Sequence, residues 1–175
     1  VRGLLKDGVQ QFWCVPYGAP TSGANRFMPP QKPAAGSGVK DHFEVTWAAP
    51  MDPNGEEPAP VVTALNRKSP QSEDCLTVNV FTPALDNKAR PVMVWMHGGG
   101  FSQGSGNYLL YDGTNLAKKE DVVVVSLNHR PNIFGFLHLA GIGGAKWAQS
   151  TNVGVQDLDA ALQWVHDNIA SFGGD

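Results

Sequence analysis

An almost unbroken apolar run, Val92-Met93-Val94-Trp95-Met96, gives way at once to His97-Gly98-Gly99-Gly100-Phe101. Such a run marks a strand buried on both faces, and glycines directly after it mark a tight excursion of the chain at the strand's end. A second apolar run occupies residues 122–125, and Thr114-Asn115-Leu116-Ala117-Lys118-Lys119 between the two is long enough for a short crossover helix. Strand, helix and strand in that order make a right-handed unit with parallel strands. Both runs are expected in the buried middle of a sheet, and the fold class is α/β.

Residues 1–5 and 9–15 read as a hairpin closed by Lys6-Asp7-Gly8. From Pro16 to Pro60, prolines and glycines recur every few residues, which removes backbone donors and disfavours helix and central strand alike. A long surface loop is expected there, pinned by Phe27, Phe43 and Trp47 and most exposed at residues 51–58. Leu76-Thr77-Val78-Asn79-Val80-Phe81 alternates apolar and polar, the sign of a strand with one solvated face. Near the end, Val155, Leu158, Leu162, Val165, Ile169 and Phe172 recur at helical steps and predict a helix covering the sheet, with Asn152 as N-cap and Gly173 as its stop. Asp157 and Asp159 fall in its first turns, where the helix dipole favours negative charge.

Composition narrows the function classes. With 42% hydrophobic and 17% charged residues the chain can build a buried core. Thirteen Lys+Arg against sixteen Asp+Glu give a formal charge of −3, so no basic surplus exists for nucleic acid or an anionic membrane. No apolar run nears the roughly 18 residues of a membrane span. A small neutral or weakly charged substrate fits better. His42, His97, His129, His138 and His166 show no metal-ligand spacing, so neither metal nor cofactor is expected. Cys14 and Cys75 allow at most one bridge and are read as free thiols.

The glycine run carries the chemistry. Glycines leave backbone N–H groups uncovered by side chains and free to turn toward a bound oxygen, which is how main chain alone builds an oxyanion hole. A bare glycine run is often only a flexible loop, but a buried strand followed by His-Gly-Gly-Gly-Phe matches the oxyanion loop of lipases and esterases. Gly99 and Gly100 are the candidate donors, Gly98 permits the bend, and Phe101 would wall a substrate pocket. His97 is read as a brace for the loop, because no neighbouring nucleophile and orienting carboxylate make it a general base. No GxSxG occurs in the 175 residues, so the nucleophile is expected elsewhere. Ser72-Glu73-Asp74-Cys75-Leu76 leads into one strand and Asn128-His129-Arg130 leaves another. A Glu73–Arg130 ion pair beneath the glycine loop is the scaffold expected from that placement.

Six landmarks in order carry a resemblance: Phe12-Trp13-Cys14-Val15-Pro16-Tyr17-Gly18-Ala19-Pro20, Arg26-Phe27, Ser72-Glu73-Asp74-Cys75-Leu76-Thr77-Val78-Asn79-Val80, His97-Gly98-Gly99-Gly100-Phe101, Phe134-Gly135-Phe136-Leu137 and Asn168-Ile169-Ala170-Ser171-Phe172-Gly173-Gly174-Asp175. Together they resemble the N-terminal part of the type-B carboxylesterase family, which also holds the cholinesterases. The resemblance implies an α/β-hydrolase fold, with a mostly parallel central sheet and an N-terminal β-hairpin. It also implies hydrolysis of carboxylic esters through an acyl-enzyme, by a Ser-Glu/Asp-His triad. Residues 1–175 would be the N-terminal segment of one catalytic domain, offering the oxyanion hole and part of the pocket to a small ester substrate.

In the family the pattern continues past Phe-Gly-Gly-Asp with a Pro, and the nucleophile elbow follows about ten residues after the Asp. The resemblance thus implies a partner: the C-terminal remainder of the same precursor, bearing the triad, separated at a labile Asp-Pro bond and needed for activity. Some proteins of this fold have lost the nucleophile and serve as adhesion or binding modules, which is the alternative reading. A secreted or periplasmic location is in keeping with the resemblance. The chain departs from the pattern in three places. Ala48-Ala49-Pro50-Met51 stands where many relatives carry the partner of the Cys75 cysteine, Arg130-Pro131-Asn132-Ile133 replaces an Arg-Leu-Gly-type turn, and His129 replaces a common Tyr.

Overall fold

The turn at Asp7 and Gly8 closes a hairpin between β1 (Leu4–Lys6) and β2 (Val9–Pro16), whose residues pair antiparallel from Leu4 opposite Gln11 to Lys6 opposite Val9. The fold is taken from a computed structural model that describes residues 1–51 and 69–175, so all but Met51 of the stretch expected to be most exposed lies outside the described residues. Three further strands follow: β3 (Thr77–Thr82), β4 (Val92–Met96) and β5 (Val123–Leu127). The five form one mixed sheet in the order β1-β2-β3-β5-β4, antiparallel except for the β4–β5 pair. That parallel pair is joined through α1 (Thr114–Glu120), as the strand-helix-strand pattern requires. Two very short helices, α2 (Asn132–Phe136) and α3 (Ala140–Gly143), precede the long α4 (Val153–Asn168).

Alternation along the strands sorts the core into two layers. Val123, Val125 and Leu127 of β5 and Val78 and Val80 of β3 pack with Ala161 and Val165 of α4 and with Ile169 and Phe172 beyond it. Val124 and Phe81 point the other way and pack with Val9, Trp13 and Ala117 of α1. Helices on both faces of a sheet make a three-layer α/β arrangement, in keeping with the α/β-hydrolase fold that the resemblance implies. In consequence β3 is buried on both faces, where the alternating pattern had suggested one solvated face. Its polar residues are enclosed because other polar groups meet them there.

Four further expectations are corrected within the described residues. Strand β4 lies at the edge of the described sheet, not in its middle. Val92 and Val94 turn toward the α4 layer, while Met93, Trp95 and Met96 stand 39–47% exposed. The helix is rotated from its expected stripe. Val153, Asp157, Ala161 and Val165 are buried, whereas Val155 and Leu162 are more than two-fifths exposed. Asn152 occupies the N-cap position but makes no side-chain cap bond, because a 3-10 turn at Ser150–Asn152 runs straight into the helix. Finally, Phe43 and Trp47 are each about two-fifths exposed, at 39% and 41%. The loop is held instead by buried Ala48 and Ala49 and by its main chain, with the Ala48 amide donating to the Pro70 carbonyl and the Trp47 carbonyl accepting from Asn107.

Candidate functional site

Register decides where the site lies. Met96 stands opposite Leu127, and Leu127 opposite Val78. The chain leaving β4, the chain leaving β5 and the chain entering β3 therefore meet at one edge of the sheet, the carboxyl end of its parallel strands, where α/β folds place their ligands. His97 to Gly104, Asn128 to Asn132 and Ser72 to Leu76 all converge there.

A buried polar network anchors the returning arm of the glycine loop. Asn128 Oδ1 accepts from the Ser105 hydroxyl at 2.8 Å and the Gly106 amide at 2.9 Å. Asn79 Nδ2 donates to the Gly106 carbonyl, to Asn107 Oδ1 and to Ser126 Oγ, each at 3.1 Å, and Asn79 Oδ1 accepts the Cys14 amide. Enclosed polar groups are tolerable only when paired, and here they pair with one another. The loop thus leaves β4 and returns to a fixed point on the sheet.

Within the loop, carbonyl tethers set the direction of the amides. His97 Nδ1 lies 3.0 Å from the Gly98 carbonyl, which can only accept, so Nδ1 carries the proton. The Gly99 carbonyl takes three bonds: from the Ser102 amide at 3.1 Å, the Gln103 amide at 3.2 Å and the Ser102 hydroxyl at 2.9 Å. In a trans peptide the C=O of one residue and the N–H of the next point in opposite directions. Holding the carbonyls of Gly98 and Gly99 inward therefore turns the N–H groups of Gly99 and Gly100 outward. Among the described residues neither amide has an acceptor, and all three glycines are exposed. Gly99 takes φ +135, where a Cβ would sit 1.9 Å from the Gln103 carbonyl oxygen, so no other residue fits. Phe101 is 69% exposed and meets Phe136 edge to face at 5.1 Å.

His97 has a second neighbour that sequence reasoning did not supply. Its ring stacks on His129 with centroids 4.1 Å apart, and both rings are buried. His97 Nε2 and His129 Nδ1 have no hydrogen-bond partner among the described residues. Burial pushes both imidazoles down from their ordinary value, and burial together with the nearby His97 takes His129 to about 3. Both rings are neutral at physiological pH. Between the unfolded value near 6.5 and the folded value, the unfolded chain binds a proton at position 129 that the folded chain refuses. Stability from this site is thus full above about pH 6.5 and drains as pH falls, by up to about 1.4 kcal/mol per pH unit. His129→Phe is expected to flatten the fall of thermal midpoint between pH 6.5 and 4 relative to the parent, and identical slopes would refute the assignment.

The expected Glu73–Arg130 pair does not form. Both residues reach the same edge, but each finds another partner. Arg26 follows the 3-10 turn at Gly23–Asn25 and grips both carboxylate oxygens of Glu73, with Nε to Oε1 at 2.7 Å. Arg130 is almost wholly buried and takes the equally buried Asp157 of α4, Nη2 to Oδ1 at 2.7 Å and Nε to Oδ2 at 2.8 Å. The Arg130 amide joins at 3.0 Å, and its Nη1 donates to the Met28 carbonyl. Burial raises the Asp157 carboxyl from its ordinary value while Arg130 opposes the rise. Asp157 is thus no dipole ornament but the counter-charge of Arg130. The signal was present in the i, i+4 line Val153, Asp157, Ala161, Val165, which puts an acid on a buried face. Both cysteines are free and buried, and burial pushes the Cys75 thiol up, which leaves it inert.

Comparison with known proteins gives one consistent answer. The carboxylesterase family matches residues 1–175. A para-nitrobenzyl esterase of Bacillus subtilis (strain 168) is 42% identical over 176 residues, covering 100% of this chain and 34% of its own length. A phenmedipham hydrolase of Pseudarthrobacter oxydans is 40% identical over 175 residues, covering 99% of this chain and 33% of its own. A Geobacillus stearothermophilus carboxylesterase superposes with a TM-score of 0.89 at 42% identity, again over 99% of this chain and 33% of that one. The chain spans about a third of the length of these relatives.

Proposed function

This chain belongs to the carboxylesterase family, and from that premise we propose that it is the oxyanion-binding portion of a serine carboxylesterase acting on small esters through an acyl-enzyme. Gly99 and Gly100 supply the backbone N–H groups that receive the negative charge of the tetrahedral intermediate, Gly98 permits the bend, and Phe101 lines the pocket. The observation that carries this reading is the tethering of the Gly98 and Gly99 carbonyls, which leaves two adjacent amides outward and, among the described residues, unpaired. Donors held in advance stabilise a developing oxyanion without reorganising when it forms.

The nucleophile, its acid and its histidine belong, on this reading, to the part of the catalytic domain that the relatives carry beyond the matched third, which would lie beside the edge of β4 that is unpaired among the described residues. The exposed Met93, Trp95 and Met96 support such a neighbour. Intact mass under denaturing conditions tells whether that remainder is continuous with this chain or a companion polypeptide cut after Asp175.

Catalysis is tested on the complete protein with a short-chain p-nitrophenyl ester and an organophosphate. Release of p-nitrophenol, abolished by stoichiometric organophosphate labelling of one serine, is the expected result. Absence of both turnover and labelling would overturn the reading in favour of a binding module of the same fold.

A further inference from the structure

The tethers just described hold the glycine loop from inside, yet they leave open what holds the outer arm, Phe101 and Ser102, against the protein. Gly99, Gly100 and Phe101 all take positive φ, +135, +61 and +62, and Phe101 does so with a full side chain. Consecutive left-handed residues on an exposed loop persist only when the surroundings over-determine them.

Asn132 meets that demand. Its backbone amide donates to the Phe101 carbonyl at 2.5 Å, and its Nδ2 donates to the Ser102 carbonyl at 3.3 Å. The second Nδ2 hydrogen goes to the Pro50 carbonyl at 2.8 Å, and Oδ1 accepts the Phe134 amide at 3.2 Å. One residue thus joins three separate segments: the outer arm of the glycine loop, the long loop at Pro50, and the first turn of α2. Its own φ of +48 is one that Asn adopts more readily than other side-chain-bearing residues. Both side-chain polar atoms and the backbone amide are used, so the residue type is specified several times over. Asp lacks the donors, Gly lacks all three side-chain bonds, and Ala lacks them and resists the backbone conformation.

We propose that Asn132 is a positioning residue for the oxyanion loop. By holding the carbonyls of Phe101 and Ser102 it keeps the Ser102 amide and hydroxyl on the Gly99 carbonyl, and so keeps the Gly100 N–H turned outward. This deepens, and rests on, the carboxylesterase reading above.

The test compares Asn132→Asp and Asn132→Gly with the parent in the complete protein. Asp retains the acceptor for Phe134 and tolerates the backbone conformation but removes both Nδ2 donations. Gly retains only the conformation. Two measurements are made on each: steady-state kinetics on a p-nitrophenyl ester, and hydrogen exchange resolved to single amides. Both variants are expected to lose about 10- to 100-fold in kcat, with KM within about twofold, because the loop is displaced and not deleted. Exchange at Ser102 and Gln103 rises about tenfold or more as their bonds to Gly99 loosen. In Asn132→Asp the Gly135 amide, which bonds the Pro131 carbonyl within α2, keeps its parental rate. A role confined to capping α2 would instead leave Asn132→Asp with parental kcat and parental exchange at Ser102 and Gln103, and would overturn the proposal. So would a loss of kcat without faster exchange there, or faster exchange with kcat retained. A parent without turnover refutes the esterase reading alone, and the exchange rates then decide by themselves whether Asn132 orders the loop.

Discussion

Replacing Gly99 with valine is expected to lower ester turnover by at least about 10²- to 10³-fold, the loss associated with one oxyanion donor, while the thermal unfolding midpoint moves by only a few degrees. At φ +135 a Cβ would stand 1.9 Å from the Gln103 carbonyl, so the backbone must move. Movement there breaks the bonds from Ser102 and Gln103 to the Gly99 carbonyl and frees the peptide that aims the Gly100 N–H. The loop is exposed and lies outside the strand register, so the sheet has no reason to follow. Kinetics and a melting curve on the same preparation are sufficient. Turnover within threefold of the parent would remove Gly99 from the site.

The second large effect is on stability. Asp157→Ala is expected to destabilise the protein by about 3–5 kcal/mol, because it leaves the Arg130 guanidinium charged and enclosed without its counter-ion. Arg130→Met should cost a similar amount, and the double variant Arg130→Met with Asp157→Leu should recover most of the loss, as buried pairs replaced by apolar groups often do. Denaturant unfolding of the three variants measures the loss and its recovery. A loss below about 1 kcal/mol for Asp157→Ala would mean that water reaches the pair. The effect should spread to activity, since Arg130 is two residues from Asn132.

Much of the architecture was legible from pattern alone. The hairpin, the parallel β4–β5 unit and the glycine loop at the strand end all follow from local signals, and local signals are what pattern reading detects. The failures share a cause. An apolar run such as Val92 to Met96 reads as central whether or not its neighbour lies within the same stretch of chain, and within the described residues β4 has a neighbour on one side only. Counting only apolar positions on α4 skipped Asp157, an acid on the buried line, and so handed Arg130 the wrong partner. The amides of Asn79, Asn128 and Asn132 carry no periodicity. Their importance comes from main-chain groups that are distant in sequence and arrive only with the tertiary fold.

The tethers on the glycine loop come from His97, Ser102, Gln103 and Asn132, with Asn79 and Asn128 beneath, and all of these lie within the first 132 residues. On the proposed esterase reading, every group that shapes the oxyanion loop is synthesised close to it in the chain, and the loop can take its form as that segment folds. Its shape is set by these tethers alone, before any reacting partner is in place.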